Sequence, residues 1–187
     1  MTVRVEAATA ARWGDIAQVF GPQGRRADSC WCQRFRDSDA PDNRTALHEE
    51  VAHAEVPVGL IAYDGDDAVG WTRVVPRATL PGIVRNRALA RILDPDPDAW
   101  WVACFVVRRD HRGAGVGVRL LETAVEWAGT HGASVLDGHP VDAGRLSATP
   151  SPSAVFTGTL RMFEQAGFTE LGRTFPSRPV MRRVFAE

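Results

Sequence analysis

Apolar positions fall into two rhythms along this chain. Trp100-Trp101-Val102-Ala103-Cys104-Phe105-Val106-Val107 is an uncharged run, the pattern of a buried strand. After a short polar stretch, Val116, Leu120, Leu121, Ala124, Val125 and Trp127 take the spacing of a helix with one buried face, so a helix is predicted from Val116 to Thr130. Between them stands Arg112-Gly113-Ala114-Gly115-Val116-Gly117. A glycine-rich turn that opens a helix leaves backbone N–H groups without intrahelical partners, at the positive end of the helix dipole. Such a turn is built to hold an anion, most often a phosphate. A Cβ there would keep a pyrophosphate from reaching the backbone.

The same rhythms order the rest. Val3 to Ala7 reads as a strand and Ala10 to Phe20 as a helix, with Trp13, Ile16, Ala17 and Phe20 on one side. Gly21 to Asp28 reads as a polar loop, and Asn43 to Ala54 as a second helix with Leu47 and Val51 inward. Val58 to Tyr63 and Ala68 to Val75 flank Asp64-Gly65-Asp66-Asp67, a hairpin signal. Pro76 to Asp98 reads as an insertion, with a short helix near Asn86 to Leu93 and a rigid turn at Asp94-Pro95-Asp96-Pro97-Asp98. A strand is predicted from Ala133 to about His139 and an irregular stretch from Val141 to Ser153. A helix from about Ala154 to Ala166 follows, then a hairpin of Phe168 to Phe175 with Val180 to Phe185. One domain over residues 1–187 is expected.

The glycine turn is open to three readings. A Walker-type P-loop needs a lysine, and this chain has none. A dinucleotide-binding turn needs Gly-x-Gly-x-x-Gly directly after the strand; Asp137 stands where its acidic residue would be, but the glycines are wrongly spaced. Too few residues follow Asp137 for the rest of a doubly wound domain. The third reading fits. Val107-Arg108-Arg109-Asp110-His111-Arg112-Gly113-Ala114-Gly115-Val116-Gly117-Val118-Arg119-Leu120-Leu121 resembles the acyl-CoA signature of the GCN5-related N-acetyltransferases (GNAT). About 50 residues on, Met162-Phe163-Glu164-Gln165-Ala166-Gly167-Phe168 is similar to that family's late helix. Cys30-Trp31-Cys32, Gly70-Trp71, Cys104-Phe105 and Phe156-Thr157-Gly158 resemble a GNAT-like subgroup with an N-terminal Cys-Trp-Cys motif.

The resemblance implies an α/β fold with a mixed central sheet, splayed at the acyl-CoA site, and helices on both faces. It implies acetyl-CoA as co-substrate, with the backbone of Phe105, Val106 and Val107 along the pantetheine arm. The pyrophosphate would sit on Arg112, Gly113, Ala114, Gly115, Val116 and Gly117. Arg108, Arg109 or Arg112 would pair with the 3′-phosphate, or form a solvated basic turn. Many members carry a tyrosine on the late helix as acid for the leaving thiolate. Here that position is Phe163, which cannot donate a proton, although a tyrosine there is expected to fit. The only tyrosine is Tyr63, on an early strand.

The base is open too. The strand from Trp100 to Phe105 carries no carboxylate. Asp137 and His139, two apart on the next strand and so on one face, are the catalytic candidates, or else residues of a strand end. Trp31, Trp71 and Trp101 are candidates for an aromatic acceptor pocket, against the plainer reading as core.

Composition adds boundaries. The formal net charge of −1 gives no general pull toward nucleic acid or an anionic membrane. No apolar stretch reaches the length of a membrane span, and the first residues lack the form of a secretory signal. Three cysteines are an odd number and suggest no disulfide framework, so a reducing cytoplasm is expected. Cys-Trp-Cys lacks the two-residue gap of a zinc pair, so no metal is expected, and Cys104 reads as a small buried cysteine. All 22 basic residues are arginine, so the chain has no lysine amine to acetylate. The expected partners are acyl-CoA and an amine-bearing small molecule. A peptide or protein amine, a homodimer and a non-catalytic acyl-CoA-binding module stay open.

Overall fold

The computed structural model describes residues 2–21, 30–148 and 155–186. Its strands are β1 (Val3–Ala7), β2 (Gly59–Asp64), β3 (Asp67–Pro76), β4 (Ala99–Val107), β5 (Val135–Gly138), β6 (Thr169–Phe175) and β7 (Arg178–Val184). The α-helices are α1 (Trp13–Phe20), α2 (Asn43–His53), α3 (Pro81–Arg85), α4 (Arg87–Ala90), α5 (Val116–Thr130) and α6 (Leu160–Gln165). The strands form one sheet in the order β1-β2-β3-β4-β5-β7-β6, antiparallel except for the central β4–β5 pair.

Two apolar layers cover the sheet. Ile16, Val19 and Phe20 of α1, Leu47 and Val51 of α2, Ile83 and Leu89 pack on one face with Ile61, Trp71 and Trp101. Val116, Leu120, Leu121, Ala124 and Ala128 of α5 pack on the other with Leu60, Val74 and Val102. These α5 residues repeat at helical spacing, which is why the periodicity read true. The Asp42 carboxylate caps α2 by accepting from the Thr45 N–H (2.8 Å).

Two features open the sheet at its centre. β5 pairs with β4 only from Ala99↔Val135 to Val102↔Gly138, while β4 runs on to Val107. On the other edge of β4 the β3 register shifts: Thr72 faces Phe105 and Val74 faces Val102. Ala103 and Cys104 therefore stand opposite Arg73 alone, a β-bulge that re-aims the strand as its partner leaves it. The Thr72 hydroxyl donates to the Cys104 carbonyl at this bulge (2.9 Å).

Two expectations change in detail. The insertion holds two short helices, α3 and α4, separated at Asn86, whose side chain accepts from the Ala88 and Leu89 N–H groups. The late helix starts at Leu160, because residues 155–157 form a turn. The predicted loop lies outside the described residues beyond Gly21, as do 149–153 of the irregular stretch. Among the described residues no helix is long and apolar enough to cross a membrane.

Candidate active site

The glycine turn stands where β4 ends and α5 begins. Gly113 and Gly115 have φ of +77° and +83°, and a Cβ on either would meet no protein atom within 4 Å. Residues 112–115 are exposed. The Arg119 N–H donates to the Gly115 carbonyl (3.0 Å), so the amides of Val116, Gly117 and Val118 precede the first full helical bond. The Arg112 Nε donates to the Val107 carbonyl (3.0 Å), tying the turn to the strand end. The result is an open, positively polarised cradle beside the splay, which suits a pyrophosphate. Arg108 is paired with Asp110 (2.9 Å).

Alongside β4, the place that β5 leaves is taken by the turn before α6. The Phe105 N–H donates to the Phe156 carbonyl (2.5 Å). Of the three backbone positions expected along the pantetheine arm, the Phe105 amide is thus engaged within the protein, as is the Val107 carbonyl. Beneath it Phe163 is fully buried, edge-on to Phe105 and Phe168. A Cβ on Gly138 would stand 2.8 Å from the Phe163 ring tip, so a bare glycine is what admits the ring. A tyrosine in its place would have to bury its hydroxyl. Tyr63 lies on β2 and donates to the Asp15 carboxylate (2.7 Å); burial, then Asp15, push its phenol up to about 12.

Asp137 and His139 part company. Asp137 is fully buried, and both its oxygens are gripped: Arg182 Nε and Nη2 donate at 2.7 and 2.9 Å, and Arg77 Nη1 at 2.7 Å. A carboxylate so held joins β5 to β7 and to the end of β3, with three bonds accepted from guanidinium protons. His139, one residue past β5, is 8% exposed. Its Nε2 lies 2.8 Å from the Thr174 hydroxyl, which itself donates to the Arg178 carbonyl (3.4 Å). That direction makes Nε2–H the donor and leaves the lone pair on Nδ1, buried and without a partner among the described residues. Burial, then the charges of Arg178 and Arg34, lower the His139 pKa to about 4, so the imidazole is neutral at pH 7.

The tryptophans belong to the core. Trp31, Trp71 and Trp101 expose at most 2% of their surface. Trp31 stacks on Phe20 (4.4 Å) and Trp13 (5.7 Å), and Trp101 meets Phe35 edge-on (6.1 Å). The indole of Trp71 donates to Cys32 Sγ (2.8 Å). The expected aromatic wall is thus a packed cluster behind β4.

The cysteine count misled. Cys32 and Cys104 form a disulfide across 72 residues, which fastens the segment after residue 30 to the β4 bulge. Cys104 is therefore not the lone buried thiol that was expected. The odd number reflects Cys30, which is free and exposed, with its sulfur within 4.8 Å of the other two.

Sequence reasoning also missed Arg34 and Arg178, which flank His139. No local signal separates these two from the other arginines.

The sheet is thus splayed between β4 and β5, and a glycine cradle leads from β4 into α5. The chain belongs to the Acetyltransferase (GNAT) family, whose model matches residues 25–146. No curated protein matches it in sequence. Solved structures share the fold. The GNAT domain of PAT from S. lividans aligns with a TM-score of 0.60 at 17% identity, over 99% of this chain and 92% of that one. The yncA protein from Salmonella typhimurium, solved with its cofactor acetyl-CoA, gives 0.57 at 18%, over 100% and 96%. Diaminobutyrate acetyltransferase EctA from Paenibacillus lautus, in complex with L-2,4-diaminobutyric acid and coenzyme A, gives 0.53 at 16%, over 100% and 98%.

Proposed function

We propose that the chain is an acyl-CoA-dependent N-acyltransferase, with acetyl-CoA as donor and an amine-bearing small molecule as acceptor. The observation that carries this reading is the exposed cradle at Gly113 and Gly115, set just past the end of β4, whose last residues β5 leaves unpaired. The pyrophosphate rests on the amides from Arg112 to Gly117, and the pantetheine arm runs along Val106 and Val107 toward Phe105.

The neutral amine attacks the thioester carbon in a ternary complex. A C–N bond forms, the C–S bond breaks, and the CoA thiolate leaves. The proton lost by the amine goes to the Nδ1 lone pair of His139, directly or through water. The thiolate takes its proton from water, since Phe163 has none to give and Tyr63 is engaged with Asp15. Asp137 keeps β5 and β7 in register and takes no proton.

A second reading, an acyl-CoA-binding module without turnover, is favoured by one observation: the Phe105 N–H is already spent on Phe156. Thiol release from acetyl-CoA in the presence of an amine panel separates the two. Amine-dependent release supports the enzyme, and binding without release supports the module.

A further inference from the structure

We propose that Arg34 and Arg178, converging on Phe156 and Thr157 beside His139, bind a carboxylate carried by the acceptor. This rests on the transferase reading above and narrows its acceptor to amines that bear an anion.

The two arginines reach the same short turn from different elements. The Arg34 guanidinium lies over the Phe156 ring (5.4 Å) and also over Phe35 (4.7 Å). Arg178, the first residue of β7, donates from Nη1 to the Thr157 hydroxyl (3.1 Å). His139 joins through Thr174, which bonds both its ring and the Arg178 carbonyl. Phe156 in turn holds the Phe105 amide, so the cluster adjoins the strand position where the thioester is expected.

Among the described residues, neither arginine has an acidic partner. The nearby acids are committed elsewhere: Asp137 to Arg77 and Arg182, Asp142 and Glu170 to Arg173, and Glu50 to Arg73 and Arg36. The negative charge that Arg34 senses is Cys30, which supplies it only as a thiolate. Arg34 Nε and His139 Nδ1 are buried without partners among the described residues. Burial, then the charge of Arg34, depress the Arg178 guanidinium to about 10. Two half-buried cations with no counter-ion, beside a buried imidazole nitrogen with no hydrogen-bond partner, are costly unless a ligand serves them. A carboxylate matches the planar guanidinium fork and fits a site this close to the reacting centre. Burial is the main reason His139 is a weak base, and the charges of Arg178 and Arg34 add to it; a carboxylate would relieve the second part, so the acceptor itself would raise the basicity of the group that takes its proton.

The test uses the full chain and follows the His139 ring signal by NMR, assigned with His139→Asn. Acetate is expected to shift that signal saturably and to raise the His139 pKa above about 4, while acetamide does neither. Arg34→Gln and Arg178→Gln, checked for retained CoA binding, are each expected to weaken acetate roughly 10- to 100-fold. A folded wild type that shows no saturable acetate shift, or an equal shift with acetamide, overturns the proposal. Displacement of acetate by CoA would assign the cluster to a CoA phosphate and overturn it as well. These readouts need no turnover. Loss of the transferase reading would instead appear as failure to bind CoA, with acetate binding intact.

Discussion

Arg182 grips Asp137 through two parallel hydrogen bonds, Nε to Oδ1 at 2.7 Å and Nη2 to Oδ2 at 2.9 Å. The pair crosses from β7 to β5, and Arg77 closes the network from beyond β3. A fully buried carboxylate that accepts three hydrogen bonds from two guanidinium groups acts as a structural ion. Asp137→Asn should therefore cost about 3 kcal/mol of stability, since it removes the charge that pairs the buried Arg77 and the partly buried Arg182. Chemical denaturation measures that loss. The rate of the folded variant should keep the wild-type pH profile, and a selective loss at neutral pH would restore Asp137 as the base.

His139 behaves differently with pH. Its folded pKa of about 4 lies below the ordinary 6.5, so the unfolded chain binds the proton more readily. Its contribution is full above about 6.5 and is lost as pH falls toward about 4, roughly 3 kcal/mol in all. Denaturation midpoints from pH 7 to 4 should show this slope in the wild type and a flatter one in His139→Asn. The same variant should lose about 10²–10⁴-fold in rate at neutral pH and much less at high pH, where the amine is already neutral. Equal losses at both would make His139 structural.

The order of elements was legible because it rests on periodicity. α5 begins and ends at Val116 and Thr130 as read, since Val116, Leu120, Leu121, Ala124 and Ala128 all face the sheet. The cradle was legible because Gly113, Gly115 and the helix start are contiguous in sequence. Contacts between distant segments were not. Asp137 and His139 are two apart and looked like one unit. Arg77 is 60 positions from Asp137 and Arg182 is 45, and they claim it while leaving His139 alone. The pairing of Cys32 with Cys104, and the convergence of Arg34 and Arg178, depend on the same long-range folding. Tryptophans read as pocket or core looked identical in sequence, and only packing assigned them.

Cys32–Cys104 closes a loop across 72 residues, which by chain entropy is worth about 4 kcal/mol. Reduction with dithiothreitol should lower the melting temperature, and Cys104→Ala should match the reduced wild type. Arg34 follows Cys32 by two residues, so reduction should also weaken whatever Arg34 binds. An unchanged melting temperature after verified reduction would contradict this account of the bond.

Phe163 sits between Phe105, Phe168 and Gly138 with no exposed surface. Phe163→Tyr should cost about 1–3 kcal/mol through overpacking and should not raise the rate. Tyr63→Phe should cost about 1 kcal/mol for its bond to Asp15 and leave acetyl transfer intact. Thermal melts and a thiol-release assay check both, and a large rate loss in folded Tyr63→Phe would bring Tyr63 to the sulfur.

The central claim is that the cradle from Arg112 to Gly117 holds the CoA pyrophosphate. Calorimetric titration of acetyl-CoA into wild type, Gly115→Val and Gly132→Val tests it most directly. Gly115 and Gly132 both have positive φ, +83° and +80°, and both face open space, so valine strains the backbone alike at the two sites. Only Gly115 borders the cradle. The account predicts that Gly115→Val abolishes binding while Gly132→Val retains wild-type affinity. Unchanged acetyl-CoA affinity in folded Gly115→Val would contradict it.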